Sequence, residues 1–119
     1  MGTNFYVVKN KPSTRGAIAH IGKSSYGWLF LFHREDKIWE EPPIVWNTYE
    51  EVMEWLEKYT TGVDPAFCIM NEYDHEVPFW QFKSLVDGIQ ADEGCQRNTE
   101  NFVYNYNVNG YRFDDSEFC

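Results

Sequence analysis

Residues 48–62 leave this chain the least conformational choice. Val52, Trp55, Leu56 and Tyr59 recur at i, i+3, i+4 and i+7, the spacing that puts apolar side chains on one helical stripe. Thr48-Tyr49-Glu50-Glu51 ahead of them fits a capping box, with Asn47 or Thr48 as the cap. Glu50, Glu51, Glu54 and Glu57 fall on the solvent side, and Glu54 precedes Lys58 by one turn, the favourable order for an ion pair. Thr61-Gly62 ends the helix. A helix with a single apolar stripe must lay it on another layer, so the rest of the chain has to supply that layer.

A second helix is expected from Pro78, a good first-turn residue, with Phe79, Phe82, Val86 and Ile89 as its stripe. Elsewhere the chain has strand and turn composition. Residues 4–9, 17–23 and 28–33 read as three strands, separated by a Pro/Gly turn at 10–16 and a Ser/Gly turn at 24–27. The third carries apolar residues on both parities, as would a central strand covered on both faces, or one with a face covered and the other used for binding. Residues 33–37 read as a polar loop, and 41–46 as an extended segment under two prolines. Residues 66–70 read as a short strand, 71–77 as polar, and 90–101 as a surface loop. Residues 102–108 alternate, and Asn109-Gly110 signals a type I′ turn into Tyr111-Arg112-Phe113. The order β-β-β-α-β-α-β-β predicts an α+β fold: a mostly antiparallel sheet with two helices packed on one face. A length of 119 residues fits one domain spanning 1–119.

Leu and Ile are scarce while aromatics reach 18%, so rings must fill much of the core. Charge is uneven. Residues 1–40 hold six basic and three acidic residues, and residues 41–119 hold four and sixteen, for a net −9. Such a chain lacks the basic footprint that direct nucleic-acid binding needs; its acidic part suits a basic partner surface, and it also keeps a protein soluble. No apolar run approaches the roughly 18 residues of a membrane span. Three cysteines without a C-x-x-C fit a reducing, cytoplasmic setting.

The densest chemistry lies at His20-Ile21-Gly22-Lys23-Ser24-Ser25-Tyr26-Gly27-Trp28. Gly22-Lys23-Ser24 looks like the end of a phosphate loop, but Ala17 stands where the first glycine should be, and a strand follows where a helix is needed. A looser nest for a phosphorylated small molecule remains: His20, Gly22, Lys23, Ser24 and Ser25 as donors, and Trp28 as a stacking platform. The alternative is a polar hairpin turn. His20 and His33 could meet across adjacent strands, yet no spacing matches a known metal site, and no cofactor is expected. No nucleophile motif occurs, so the chain reads more as a binder than an enzyme. For a protein partner, Trp39 and Trp46 are candidate anchors, with Glu50, Glu51, Glu54 and Glu57 as the acidic face. Asp114-Asp115-Ser116-Glu117 reads as a solvated turn or an acidic recognition tail.

Met1-Gly2-Thr3-Asn4-Phe5-Tyr6 followed by the His20–Trp28 motif resembles a family of small bacteriophage and prophage proteins that open on MGTN with an aromatic pair and carry HIGKSS-x-GW. Gly110-Tyr111-Arg112-Phe113 with Glu117-Phe118 is similar to that family's closing strand. Many members place a Cys-x-x-Cys just before the motif; this chain has no cysteine there, so no metal role carries over. The resemblance implies a phage-encoded accessory protein in the host bacterial cytoplasm, of the kind that binds and modulates a host or anti-phage defence protein, with inhibition the expected mode. The other expectation is a small-anion or nucleotide binder, acting as a sponge or a simple enzyme at the His20–Ser25 segment.

Overall fold

The structure is a computed structural model that describes residues 2–9, 17–25, 27–92, 105–108 (backbone only) and 110–114. In chain order its elements are β1 (Gly2–Lys9), β2 (Ala17–Ser25), β3 (Leu31–His33), β4 (Glu35–Lys37), β5 (Ile44–Trp46), α1 (Tyr49–Thr60), β6 (Phe67–Asn71), β7 (Glu76–Val77), α2 (Phe79–Ala91), β8 (Asn105–Val108) and β9 (Tyr111–Asp114). Seven strands form one sheet in the order β7-β6-β1-β2-β3-β9-β8, while β4 and β5 make a separate hairpin. Every pairing is antiparallel except β3 with β9. The fold is α+β, as the segment order predicts.

Both helices begin where the sequence says. The Thr48 hydroxyl accepts the Glu51 N–H at 3.1 Å. The Glu51 carboxylate reaches back one residue further than a standard box, accepting the Asn47 N–H at 2.8 Å. Val52, Met53, Trp55 and Leu56 are buried on α1, and Phe79, Phe82 and Val86 on α2. The helical stripes meet one face of the sheet, where rings dominate. Phe5 packs on Phe82 with centroids 5.3 Å apart, Phe30 meets Phe82 edge-on at 5.6 Å, and Phe32 stacks on Phe113 at 5.1 Å. Burying each such ring contributes about 1.5–3 kcal/mol, and a favourable ring geometry adds about 0.5–1.5 kcal/mol.

Four local expectations differ from the structure. Residues 35–37, expected to be loop, form β4, because Glu35 and Lys37 alternate onto one side of an extended strand and both find partners there. Glu76–Val77 pairs with Ile69–Met70 as a short edge strand, where only a polar segment was expected. The third strand is shorter than its composition suggests, and only Leu31–His33 pair within it. Conversely, β2 runs on through Ser25, so His20 to Ser25 lie on a strand and the turn comes after them. The two-residue connection between Val108 and Tyr111 matches the hairpin expectation, with Gly110 at φ 91°; Asn109 lies outside the described residues, as do most of the expected 90–101 loop, residues 115–119 and the 102–104 part of the alternating run.

Strand β2 is bulged twice against β1. Tyr6 opposes His20 and Phe5 opposes Gly22, leaving Ile21 as the extra residue; Ile18 is extra in the same way between Ala17 and Ala19. A bulge re-aims side chains locally. Here it lets Ile21 join the helix-covered core while His20 remains on the other face beside Tyr6. Gly22 is required where it stands: a Cβ there would lie 2.3 Å from the Leu31 carbonyl oxygen and 2.5 Å from the Phe30 ring.

Candidate functional site

The sheet face away from the helices carries a row of stacked rings. Tyr6 stacks on His20 at 4.8 Å and 22°, and His20 on His33 at 5.2 Å and 24°. The two histidines thirteen residues apart do meet. Beyond the row, Met70 stands opposite Tyr6 on β6, and Asp114 opposite His33 on β9. The row is buried at its centre: His20 is 4% exposed, His33 5% and Asp114 4%.

Each imidazole is held by a polar partner. His20 Nε2 lies 2.9 Å from Asn4 Oδ1, and His33 Nδ1 lies 3.1 Å from Glu35 Oε2. Glu35 also accepts the His20 backbone N–H at 3.0 Å, and the Lys37 ammonium donates to the Ile18 carbonyl at 2.7 Å. These two β2 backbone groups are strand-edge groups beyond the short β2–β3 ladder, which spans only Gly22–Phe32 and Lys23–Leu31. A carboxylate and an ammonium from β4, 3.7 Å from each other, occupy them instead, as buried peptide groups demand. Burial alone would raise the Glu35 pKa; the His33 ring, the His20 N–H and the Lys37 charge outweigh it and hold the carboxyl below its usual value. Glu35 and Lys37 therefore act as a substitute for missing ladder bonds. Neither they nor Asn4 could be picked out in the sequence, because the pairing that recruits them spans 15 to 19 residues.

The six residues expected to hold an anion do not converge as a set, although Ser25 and Trp28 share one cleft. Gly22 is buried against Phe30 and Leu31. Ser24 lines a cleft on the helix side with Gln81 and Leu85, whereas Ser25 lines a separate cleft of about 270 Å³ with Trp28, Leu31 and Arg112. The two-residue period of a strand is what sends neighbouring hydroxyls to opposite faces. Lys23 pairs with Asn4 and Leu31 on β2, and His20 sits in the ring row. Trp28 is half-buried beneath the Arg112 guanidinium, 5.2 Å from its centroid. Burial lowers the Arg112 pKa while neighbouring Asp114 opposes that shift, and Arg112 donates to the Leu29 carbonyl at 2.8 Å. Arg112 is a cleft residue that sequence spacing did not single out; it is brought there by the parallel β3–β9 pairing.

The residues expected to contact a partner divide. Trp39 is 73% exposed, beside Ile38 at 71%, at the tip of the β4–β5 hairpin. Trp46 corrects the expectation: it is fully buried, meets Trp55 edge-on at 5.6 Å, and donates its indole N–H to the His33 carbonyl at 2.7 Å. It is a core residue because β5 alternation turns Ile44 and Trp46 inward together. Glu50, Glu51, Glu54 and Glu57 are exposed along α1. The hairpin tip and α1 are tied together, since Trp55 donates to the Pro43 carbonyl at 2.9 Å. Along α1, beside Val45 of β5, runs a shallow groove lined by Glu51, Glu54, Trp55, Lys58 and Tyr59. Asp114, expected at the start of an acidic tail, is instead buried at the end of β9.

Among the described residues, no group of three or more His, Cys, Asp or Glu is placed to hold a metal ion. Cys68 is buried with Val8 and Met70, while His75 is exposed on the turn after β6. No helix among the described residues is long and apolar enough to cross a membrane. No protein-family model, curated protein or solved structure matches the chain.

Proposed function

We propose that this chain is a phage-encoded accessory protein that binds, and thereby inhibits, a host or anti-phage defence protein in the bacterial cytoplasm. The observation that carries this reading is the exposed Ile38–Trp39 tip, joined to an α1 face that displays four glutamates. An indole left in water gains from burial on association, and Trp is enriched among residues that dominate binding energy. Glu40 and Glu41 beside it, with the α1 glutamates, make the surrounding surface acidic, and Lys58 is the cation lining the groove. A basic partner surface with an apolar pocket for the indole is the complement. The acidic rim would speed encounter and set specificity more than it adds affinity.

The test compares partner retention by the wild type, Trp39→Ala, and a fourfold Glu-to-Lys reversal at positions 50, 51, 54 and 57, purified gently from a bacterial host. Trp39→Ala should weaken retention by about tenfold or more with an unchanged thermal midpoint. The reversal should slow association and erase its salt dependence. Retention by both variants equal to wild type removes this surface from the interface.

A further inference from the structure

Beside the ring row, on the same sheet face, lies a cavity of about 340 Å³ lined by Tyr6, Val8, Ala17, Met70, Asn71, Glu72 and Asp74. We infer that it is a binding site for an organic cation, an alkylammonium or guanidinium on a short apolar stem. It lies apart from the hairpin surface and does not depend on the partner reading. Three features define its chemistry.

The floor is apolar. Val8 and Met70 are buried there, backed by Cys68. One wall is aromatic: Tyr6, partly exposed and fixed in orientation by its stack on His20. A cation over such a ring is attracted by its quadrupole. The rim is anionic, since Glu72 and Asp74 line the cavity and, among the described residues, no Lys, Arg or His does.

The rim is also built in advance. Glu72 Oε1 accepts both the backbone N–H of Asn4 at 2.7 Å and its carboxamide at 3.2 Å, and the Glu72 N–H donates to the Asn4 carbonyl at 2.9 Å. That clamps the Glu72 carboxylate in place at the rim. Asn71 Oδ1 accepts the N–H groups of Tyr73 and His75 at 2.9 and 3.0 Å, closing the turn that carries Asp74 at φ 63°. A positive φ at Asp74 is a conformation that Asn or Asp tolerates and bulkier residues resist. Preorganised charge binds a ligand without the cost of ordering it first. The volume is at the small end of ligand sites, which limits the occupant to a single headgroup with a few methylenes. A free small amine and a lysine or arginine side chain projected by another protein share this chemistry.

The experiment is a heteronuclear NMR titration of the full chain with n-butylammonium, blocked lysine amide, blocked arginine amide, and neutral n-pentanol as an uncharged alkyl control. Expected are shifts confined to Tyr6, Val8, Met70 and residues 71–74 with the cations, and at least tenfold weaker binding of n-pentanol. Preference for n-butylammonium over the blocked amides assigns a small-molecule amine; the reverse preference assigns a protein side chain. Glu72→Gln with Asp74→Asn, which keeps the turn geometry, should weaken binding by about tenfold or more. Ala17→Trp, which fills the mouth, should abolish it at an unchanged melting midpoint. Equal binding of n-pentanol, or no shifts at those residues with any cation at about ten millimolar, overturns the proposal.

Discussion

The two faces of one sheet solve burial in opposite ways. Under the helices, Phe5, Phe30, Phe32, Phe82 and Phe113 are buried by packing alone, ring against ring. On the other face, Asn4, His20, His33 and Glu35 are equally buried, but each is held by a named hydrogen bond. The first face tolerates loss of a neighbour badly because nothing refills the volume. The second tolerates it badly because a polar group is left without its partner. The comparison teaches that the bulged strand β2 separates the two chemistries residue by residue, with Ile21 on one side and His20 on the other.

Phe32→Ala should strike hardest. Phe32 touches Phe30, Tyr49, Tyr111 and Phe113, and removing a fully buried ring costs about 3–5 kcal/mol. Chemical denaturation should find the midpoint of the variant shifted to much lower denaturant; a loss below about 1 kcal/mol would mean the aromatic face repacks freely. Gly22→Ala comes next, at about 2–3 kcal/mol, because the new Cβ meets a backbone oxygen that cannot step aside. A thermal midpoint equal to wild type would show that the close approach of β2 to β3 is not tight.

Glu35→Gln probes the polar face and should cost about 1–2 kcal/mol, since the amide oxygen can replace Oε2 toward His33 and the His20 N–H only by losing the charge and turning its NH2 donor toward the Lys37 ammonium. Its pH signature separates the faces. The Glu35 carboxyl sits below its ordinary 4.5 in the folded protein, so its contribution is fully present above that value and is lost as pH falls through the lower folded one. The stability gap between wild type and Glu35→Gln should therefore hold from neutral pH down to the ordinary 4.5 and narrow progressively below it. A gap constant with pH would assign the effect to packing. The gap for Phe32→Ala should not close in this way.

The smallest effect belongs to the fringe of the aromatic face. The Tyr49 hydroxyl donates to Asp87, and Lys83 pairs with Asp87 at 2.8 Å. Burial and the Asp87 carboxylate push the Tyr49 phenol up to about 12. Tyr111 is pushed up as well, by burial and by the same Asp87 carboxylate, so ultraviolet titration should show late-ionising tyrosine absorbance in the wild type that moves toward lower pH in Asp87→Asn. Stability at neutral pH should change by less than about 1 kcal/mol. Identical titrations would place the hydroxyl in water.

The aromatic face was legible in the sequence because it is periodic. The stripes Val52-Trp55-Leu56 and Phe79-Phe82-Val86 are local, and helical spacing alone reveals them. The polar face was not. Asn4, Glu35 and Lys37 each act on a strand far away in sequence, and no local pattern distinguishes them from the other polar residues. Glu35-Asp36-Lys37 looked like a loop because charge hides extended structure when its partners are tertiary. Trp46 looked like Trp39, since both flank the proline-rich segment; only the inward turn of β5 separates a core ring from an exposed one. The dense His20–Ser25 segment drew attention for its donors, and strand alternation then distributed them over two faces.

The parallel pairing of β3 with β9 sets a schedule for synthesis. Residues 31–33 reach their final neighbour only when residues 112–114 arrive, a loop closure across about 80 residues that is slow by its length. Strands β1, β2 and β6 can assemble earlier, but β3 waits with one edge open and Phe32 awaiting Phe113. An open edge in the middle of a future sheet is a surface that other nascent chains can join. The yield of folded protein should then depend on how quickly the distal hairpin emerges from the ribosome, and slower initiation or cooler growth, which thins the population of waiting chains, should favour it.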